Sequence, residues 1–133
     1  MTIEEGLFAY LAARPEITTV IGSSPTRFYP VVAPQNPEAP FVTYARADST
    51  RERAGSGFTG AVEDAYNLTC WAETYPAAAA LARLLRNELD GASGWWGDVE
   101  LGSVQADDKR DDYNSDLQLF GRLVVLTIQH REA

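Results

Sequence analysis

An acidic run from Asp107 to Asp116 leads directly into an apolar stretch from Leu117 to His130, and this junction constrains the chain most. The run holds Asp107, Asp108, Asp111, Asp112 and Asp116, five carboxylates in ten residues that must stay solvated or meet cations. That requirement predicts a loop. In the stretch that follows, Leu119, Leu123 and Val125 alternate with Phe120, Val124, Leu126 and Ile128, so both faces are apolar. As a strand it would reach ~45 Å. That is more than a small domain needs for its own core, which predicts that another chain covers part of it. An assembly protein is expected before an enzyme.

The chain has 133 residues, the size of one domain, and residues 1–133 are read as one unit. Its 45% apolar and 23% charged content is that of a globular chain. One cysteine excludes an internal disulfide. Glu4 and Glu5 stand where a secretory signal needs basic residues, and no apolar run is long enough to span a bilayer. The net charge is −8, with a single lysine and scattered arginines. Duplex binding through phosphates needs clustered cations, so tight nucleic-acid binding is not expected.

Hydrophobic periodicity orders the elements. Thr2 and Glu5 form a capping box ahead of Ile3, Leu7, Tyr10 and Leu11, with Phe8 widening the stripe. Arg14 before Pro15 ends that helix, and residues 16–21 allow one further short turn closed by Gly22. Residues 27–32 read as an edge strand because Pro30 interrupts them. A stiff connector, 33–40, holds three prolines. A second strand covers 41–47. The stretch 48–61, with Gly55, Gly57 and Gly60, reads as a long loop. The third strand covers 62–73, with Tyr66, Leu68, Cys70 and Ala72 on one face and Asn67, Thr69 and Trp71 on the other. Thr74 caps a second helix with Ala78, Leu81, Leu85 and Leu89 as its buried stripe and Gly91 past its end. Trp95 and Trp96 sit in a turn, and the last strands cover 99–106 and 117–130. The predicted order is α-β-β-β-α-β-β. It describes an α+β fold, an antiparallel or mixed five-stranded sheet packed by two helices.

Catalytic constellations are sparse. His130, the only histidine, reads as a half-exposed strand residue without an orienting partner. Cys70 falls on an apolar face and reads as core. One Cys and one His leave no zinc set within a single chain. The acidic run could hold Ca²⁺ or Mg²⁺, but its spacing is not that of an EF-hand. Two other readings are a solvated loop and docking against arginines of a neighbouring subunit, such as Arg51 and Arg53. The glycines after residue 54 match no phosphate cradle. Trp95 and Trp96 either cover a core edge or anchor an interface.

Three ordered stretches together resemble a known family. They are Arg27-Phe28-Tyr29-Pro30 with Ala33-Pro34-Gln35 and Pro40-Phe41-Val42-Thr43-Tyr44; Cys70-Trp71-Ala72-Glu73-Thr74-Tyr75 leading to Leu89-Asp90-Gly91; and Asp108 to Tyr113 before a strand ending His130-Arg131-Glu132. The chain resembles the phage tail-completion proteins, also called tail terminators or tail-to-head joining proteins. The resemblance implies a virion protein assembled in the host cytoplasm into a ring, commonly a hexamer, at the head-proximal end of the tail tube. Such a ring stops tail polymerisation and receives the head connector while DNA passes through its lumen. Its partners are further copies of itself, the tail-tube protein and the connector. The resemblance implies no cofactor, no membrane and no catalytic residue. Interface candidates from the residues are Arg51, Arg53, Trp95, Trp96, Asp107, Asp108, Asp111 and Asp112. Rival readings are another neck component, such as a head-side stopper or adaptor, and a small metal-dependent enzyme using 107–116.

Overall fold

The structure is a computed structural model that describes residues 2–23, 26–51 and 61–131. The first helix, α1, covers Ile3–Ala12 and opens on the predicted capping box. Thr2 Oγ1 accepts from the Glu5 amide at 3.1 Å, and Glu5 Oε1 accepts from the Thr2 amide at 2.9 Å. Two of the donors a helix start leaves open are thereby met. Pro15 ends this helix and starts another. The helix α2, Pro15–Ile21, has proline in its first turn and buries Ile17 and Ile21, so the single extra turn expected from sequence is a separate helix.

The strands are β1 (Phe28–Pro30), β2 (Phe41–Arg51), β3 (Ala61–Ala72), β4 (Gly94–Trp96), β5 (Val99–Asn114) and β6 (Leu119–Arg131), with α3 (Tyr75–Leu89) between β3 and β4. They form one mixed sheet in the order β1-β2-β3-β6-β5-β4. Only the β1–β2 pair is parallel. The fold is α+β as expected, with six strands and three helices instead of five and two. The added strand is β4. Trp95 and Trp96, expected in a turn, pair with Glu100 and Val99. An alternation only three residues long leaves too little periodicity to detect.

The acidic run is not a loop. Residues 107–114 continue β5 and pair with β6 as far as Asn114 opposite Leu119, and the turn falls at 115–118. Solvating carboxylates does not require leaving a strand. An edge strand with no helix over it satisfies its backbone on one side while its side chains stand in water. β2 likewise runs on to Arg51, four residues beyond the expected end, and the remainder of the expected 48–61 loop, apart from Ala61 in β3, lies outside the described residues.

The core lies between the sheet and the helices. Leu7, Leu11, Ile17, Ile21, Leu81, Leu85 and Leu89 meet Leu68, Cys70, Val124, Leu126 and Ile128. β6 is a central strand bonded on both sides, to β3 and β5. Its Leu119, Leu123, Val124, Leu126 and Ile128 are buried by the chain itself. The length of this strand therefore requires no second chain, contrary to the expectation from sequence. Burial switches sides along it, from odd positions at Leu119 and Leu123 to even positions from Val124 onward. This is why both faces read as apolar.

Candidate functional site

A group of buried and half-buried polar side chains lies where β2, β3 and β6 meet α1. Asp64 is 2% exposed, and its Oδ2 accepts from His130 Nε2 at 2.7 Å. The other ring nitrogen, Nδ1, faces the Arg131 carbonyl at 3.2 Å. Arg46 Nη2 stands 4.0 Å from Asp64 Oδ2, and it donates to Glu4 Oε1 at 3.0 Å and to the Tyr66 hydroxyl at 3.3 Å. Among the described residues, Asp64 Oδ1 has no hydrogen-bond partner. These groups edge a cavity of about 410 Å³ that also touches Thr2, Ser49 and Val99. His130 is thus buried and oriented, not half-exposed as expected. The pattern carried a signal. Asp64 shares the even-numbered face of β3 with Tyr66, Leu68 and Cys70, and His130 shares that of β6 with Leu126 and Ile128. Burial raises the Tyr66 phenol above its ordinary value, with Arg46 pulling the other way. Burial also raises the Cys70 thiol, which fits a core residue.

A second cluster joins the acidic strand to the start of α3. Arg122 Nη1 donates to Asp108 Oδ2 at 3.0 Å, and its Nε donates to Asp111 Oδ1. Its Nη2 donates to the Tyr75 hydroxyl at 2.9 Å, and that hydroxyl donates to Asp111 Oδ2 at 3.0 Å. Desolvation opposes the Arg122 charge, but Asp111, Asp108 and Tyr75 outweigh it and raise its pKa. Phe120 packs edge-on against Tyr75 and Tyr113 beside this network. Asp108 and Asp111 therefore share a cation within the chain, Arg122. The signal missed in sequence was Arg122 itself, a charge in the middle of an apolar strand. Among the described residues, Asp107 and Asp112 have no cationic partner. Arg51 ends β2, but its side chain is outside what the structure describes, as is all of Arg53.

The two tryptophans differ in burial, and Trp96 alone takes the core reading. Trp96 is 2% exposed and lies under α1, 5.1 Å from the Tyr10 ring, where a Cβ on Gly6 would come within 3.0 Å of it. Trp95, on the opposite face of β4, is 62% exposed. Another apolar surface lies across the sheet, where Val31 and Val32 stand in solvent beside a groove of about 400 Å³ touching Phe41, Trp71 and Leu117. Val31 adopts φ 61°, unusual for a β-branched side chain.

Among the described residues, no group of three His, Cys, Asp or Glu side chains is placed to hold a metal ion. No helix among them is long and apolar enough to cross a membrane. What the geometry offers is surfaces. A family model described as tail completion protein gp17 matches residues 5–130. The chain belongs to the tail completion protein gp17 family. It is a virion structural tail protein in that sense. No curated protein matches the sequence. Among solved structures, a chain of "Virion of native gene transfer agent (GTA) particle" superposes with a TM-score of 0.65 at 15% identity. The match covers 95% of this chain and 92% of that one, and shows that the two share a fold. Among the described residues of this tail completion protein, the acidic stretch of β5, the outer side of β2 at 45–51, Trp95 and the Val31–Val32 shelf are exposed.

Proposed function

We propose that this chain is a tail terminator. Copies of it close into a ring, with six as the expected number, on the head-proximal end of the tail tube. The ring ends tube polymerisation and presents its other side to the head connector. The observation that carries this reading is the family match over residues 5–130, which runs from within α1 to within β6. The charge supports it. A chain with net charge −8 does not gather phosphates by counterion release, so DNA can clear a channel lined by it. No step of this function needs a reacting group, and none is assigned.

Deletion of the gene in the particle that encodes it tests the proposal. Tails of uncontrolled length and heads without tails are expected. Tails of normal length that still attach to heads would refute it. Capture by purified tail-tube protein supports the terminator role, whereas capture by the portal or adaptor alone would move the chain to the head side of the neck.

A further inference from the structure

Both long outer strands of the sheet are only partly covered. On one side, β1 pairs with β2 at Val42–Tyr44, and among the described residues no strand pairs with the outer edge of 45–51. On the other, β4 pairs with β5 at Val99–Leu101. Just beyond, the end of α3 takes the next outward groups, with the Gly91 amide donating to the Val104 carbonyl at 2.9 Å and the Ala106 amide to Asp90 Oδ1 at 3.0 Å. Among the described residues, no strand pairs with the outer edge of β5 from Asp107 to Asn114.

The outward backbone groups can be assigned. In β5 the even residues Val104 and Ala106 face away from β6. A bulge at Lys109 then shifts the phase, so that Asp111 and Tyr113 face outward. In β2 the Val42 amide and the Tyr44 carbonyl face β1, at 3.0 and 2.7 Å from the Arg27 carbonyl and the Val31 amide. A bulge at Ala47 turns Ser49 outward. Each open edge keeps one outward amide occupied by the carboxylate just before it. Asp48 Oδ1 accepts from the Ser49 amide and Asp112 Oδ1 from the Tyr113 amide, each at 2.8 Å.

We propose that the open edge of β5 in one copy pairs antiparallel with the open edge of β2 in the next, Asp111 opposite Ser49, making one continuous sheet around the ring. This inference rests on the ring reading above and names its joint. β2 and β5 run in opposite directions within the sheet, so joining them keeps the helices on the same side in every copy. The outward residues Arg46 and Ser49 then face Tyr113 and Asp111 across the joint, with one bulged residue on each strand. Charge selects the pairing. Residues 107–112 hold four aspartates against one lysine and one arginine, whereas 45–51 hold two arginines and one aspartate. Even with Asp108 and Asp111 sharing Arg122 and Arg46 held by Glu4, the β5 stretch keeps excess negative charge and the β2 stretch does not, so two β5 edges disfavour each other where β5 and β2 do not. Charges and bulges are the usual guards of an edge against stray partners, and here they leave one suitable partner.

The stagger of the two edges also fits closure. Ser49, Asp64, Ile128 and Val104 lie on one row across the sheet, and Val42, Cys70, Arg122 and Asp111 lie on another, six residues lower along β6. Matching Ser49 to the Asp111 of a neighbour thus drops the chain ~20 Å over four strand spacings of ~19 Å. The strands then tilt by about 45°, at the upper end of the range that lets a sheet close on itself. β1 and β4 fall beyond opposite ends of the joint and do not obstruct it. Six copies give a wall of four strands each, ~50 Å across at that tilt.

Cysteines at the two positions test the joint. The parent chain is the control, because Cys70 is buried and its thiol is held protonated. Mild oxidation of the S49C/D111C double variant should give a ladder of disulfide-linked copies on a non-reducing gel. S49C alone and D111C alone should give at least tenfold less linked dimer. A single variant that links as well as the double would show like edges meeting and overturn the proposal. Absence of linkage while native mass spectrometry of the parent shows a ring would overturn this joint and leave the ring reading standing. A parent that stays monomeric even with tail-tube protein would remove the ring and the joint together.

Discussion

Replacing His130 by leucine tests whether the buried pair is structural. His130 supplies the only close hydrogen bond that Asp64 Oδ2 receives, at 2.7 Å. Asp64 is 2% exposed, and its Oδ1 already lacks a partner among the described residues. Removing the imidazole leaves a buried carboxylate without its close partner at the edge of the cavity. The expected cost is about 3–5 kcal/mol, typical for breaking one side of a buried pair. Arg46, 4.0 Å away and half exposed, can move closer and holds the cost towards the lower end. For a domain of this size the loss corresponds to a fall in Tm of ~12–20 °C. The D64L/H130L double variant removes both partners and replaces them with apolar bulk. It should recover most of the loss, so the two single costs should not add. Thermal and urea unfolding followed by circular dichroism, at one fixed protein concentration, give the four stabilities. A cost for H130L below ~1 kcal/mol, or additive single costs, would refute the reasoning.

Three further outcomes follow from the packing. Gly121→Val should destabilise by about 1–3 kcal/mol or more, because a Cβ there comes 2.8 Å from the Trp71 ring, which a 3.1 Å hydrogen bond from its Nε1 to Thr43 Oγ1 holds in place; urea unfolding measures it. Trp96→Ala should cost ~3–5 kcal/mol, whereas Trp95→Ala should leave Tm unchanged and weaken only assembly, read by calorimetry and native mass spectrometry. Stability should fall as pH rises past about 9, because the folded chain holds Cys70 and Tyr66 neutral while the unfolded chain ionises them near 9.0 and 10.0. Below that window both groups are neutral in either state and contribute no slope; Tyr66→Phe should flatten the decline above pH 10.

Wherever an element carried its own local signature, sequence alone determined it. The capping box at Thr2 and Glu5, Pro15 as a helix boundary, the leucine stripe of α3 between Thr74 and Gly91, and the even face of β3 each depend on neighbours a few residues away. The placement of Cys70 in the core rests on the same alternation. Tertiary structure alone decided whatever depends on cross-strand partners. Residues 107–114 are strand because β6 bonds their backbone, and two of their carboxylates share Arg122, eleven or more residues away. β6 hides its own apolar length because β3 and β5 flank it, which no periodicity along the strand can reveal. Asp64 and His130, 66 positions apart, meet only through the β3–β6 register. The acidic stretch of β5 and the 45–51 stretch of β2 come to lie towards opposite sides of one sheet for the same reason: short-range preference sets a residue's face, but only the pairing of distant strands sets what lies beside it.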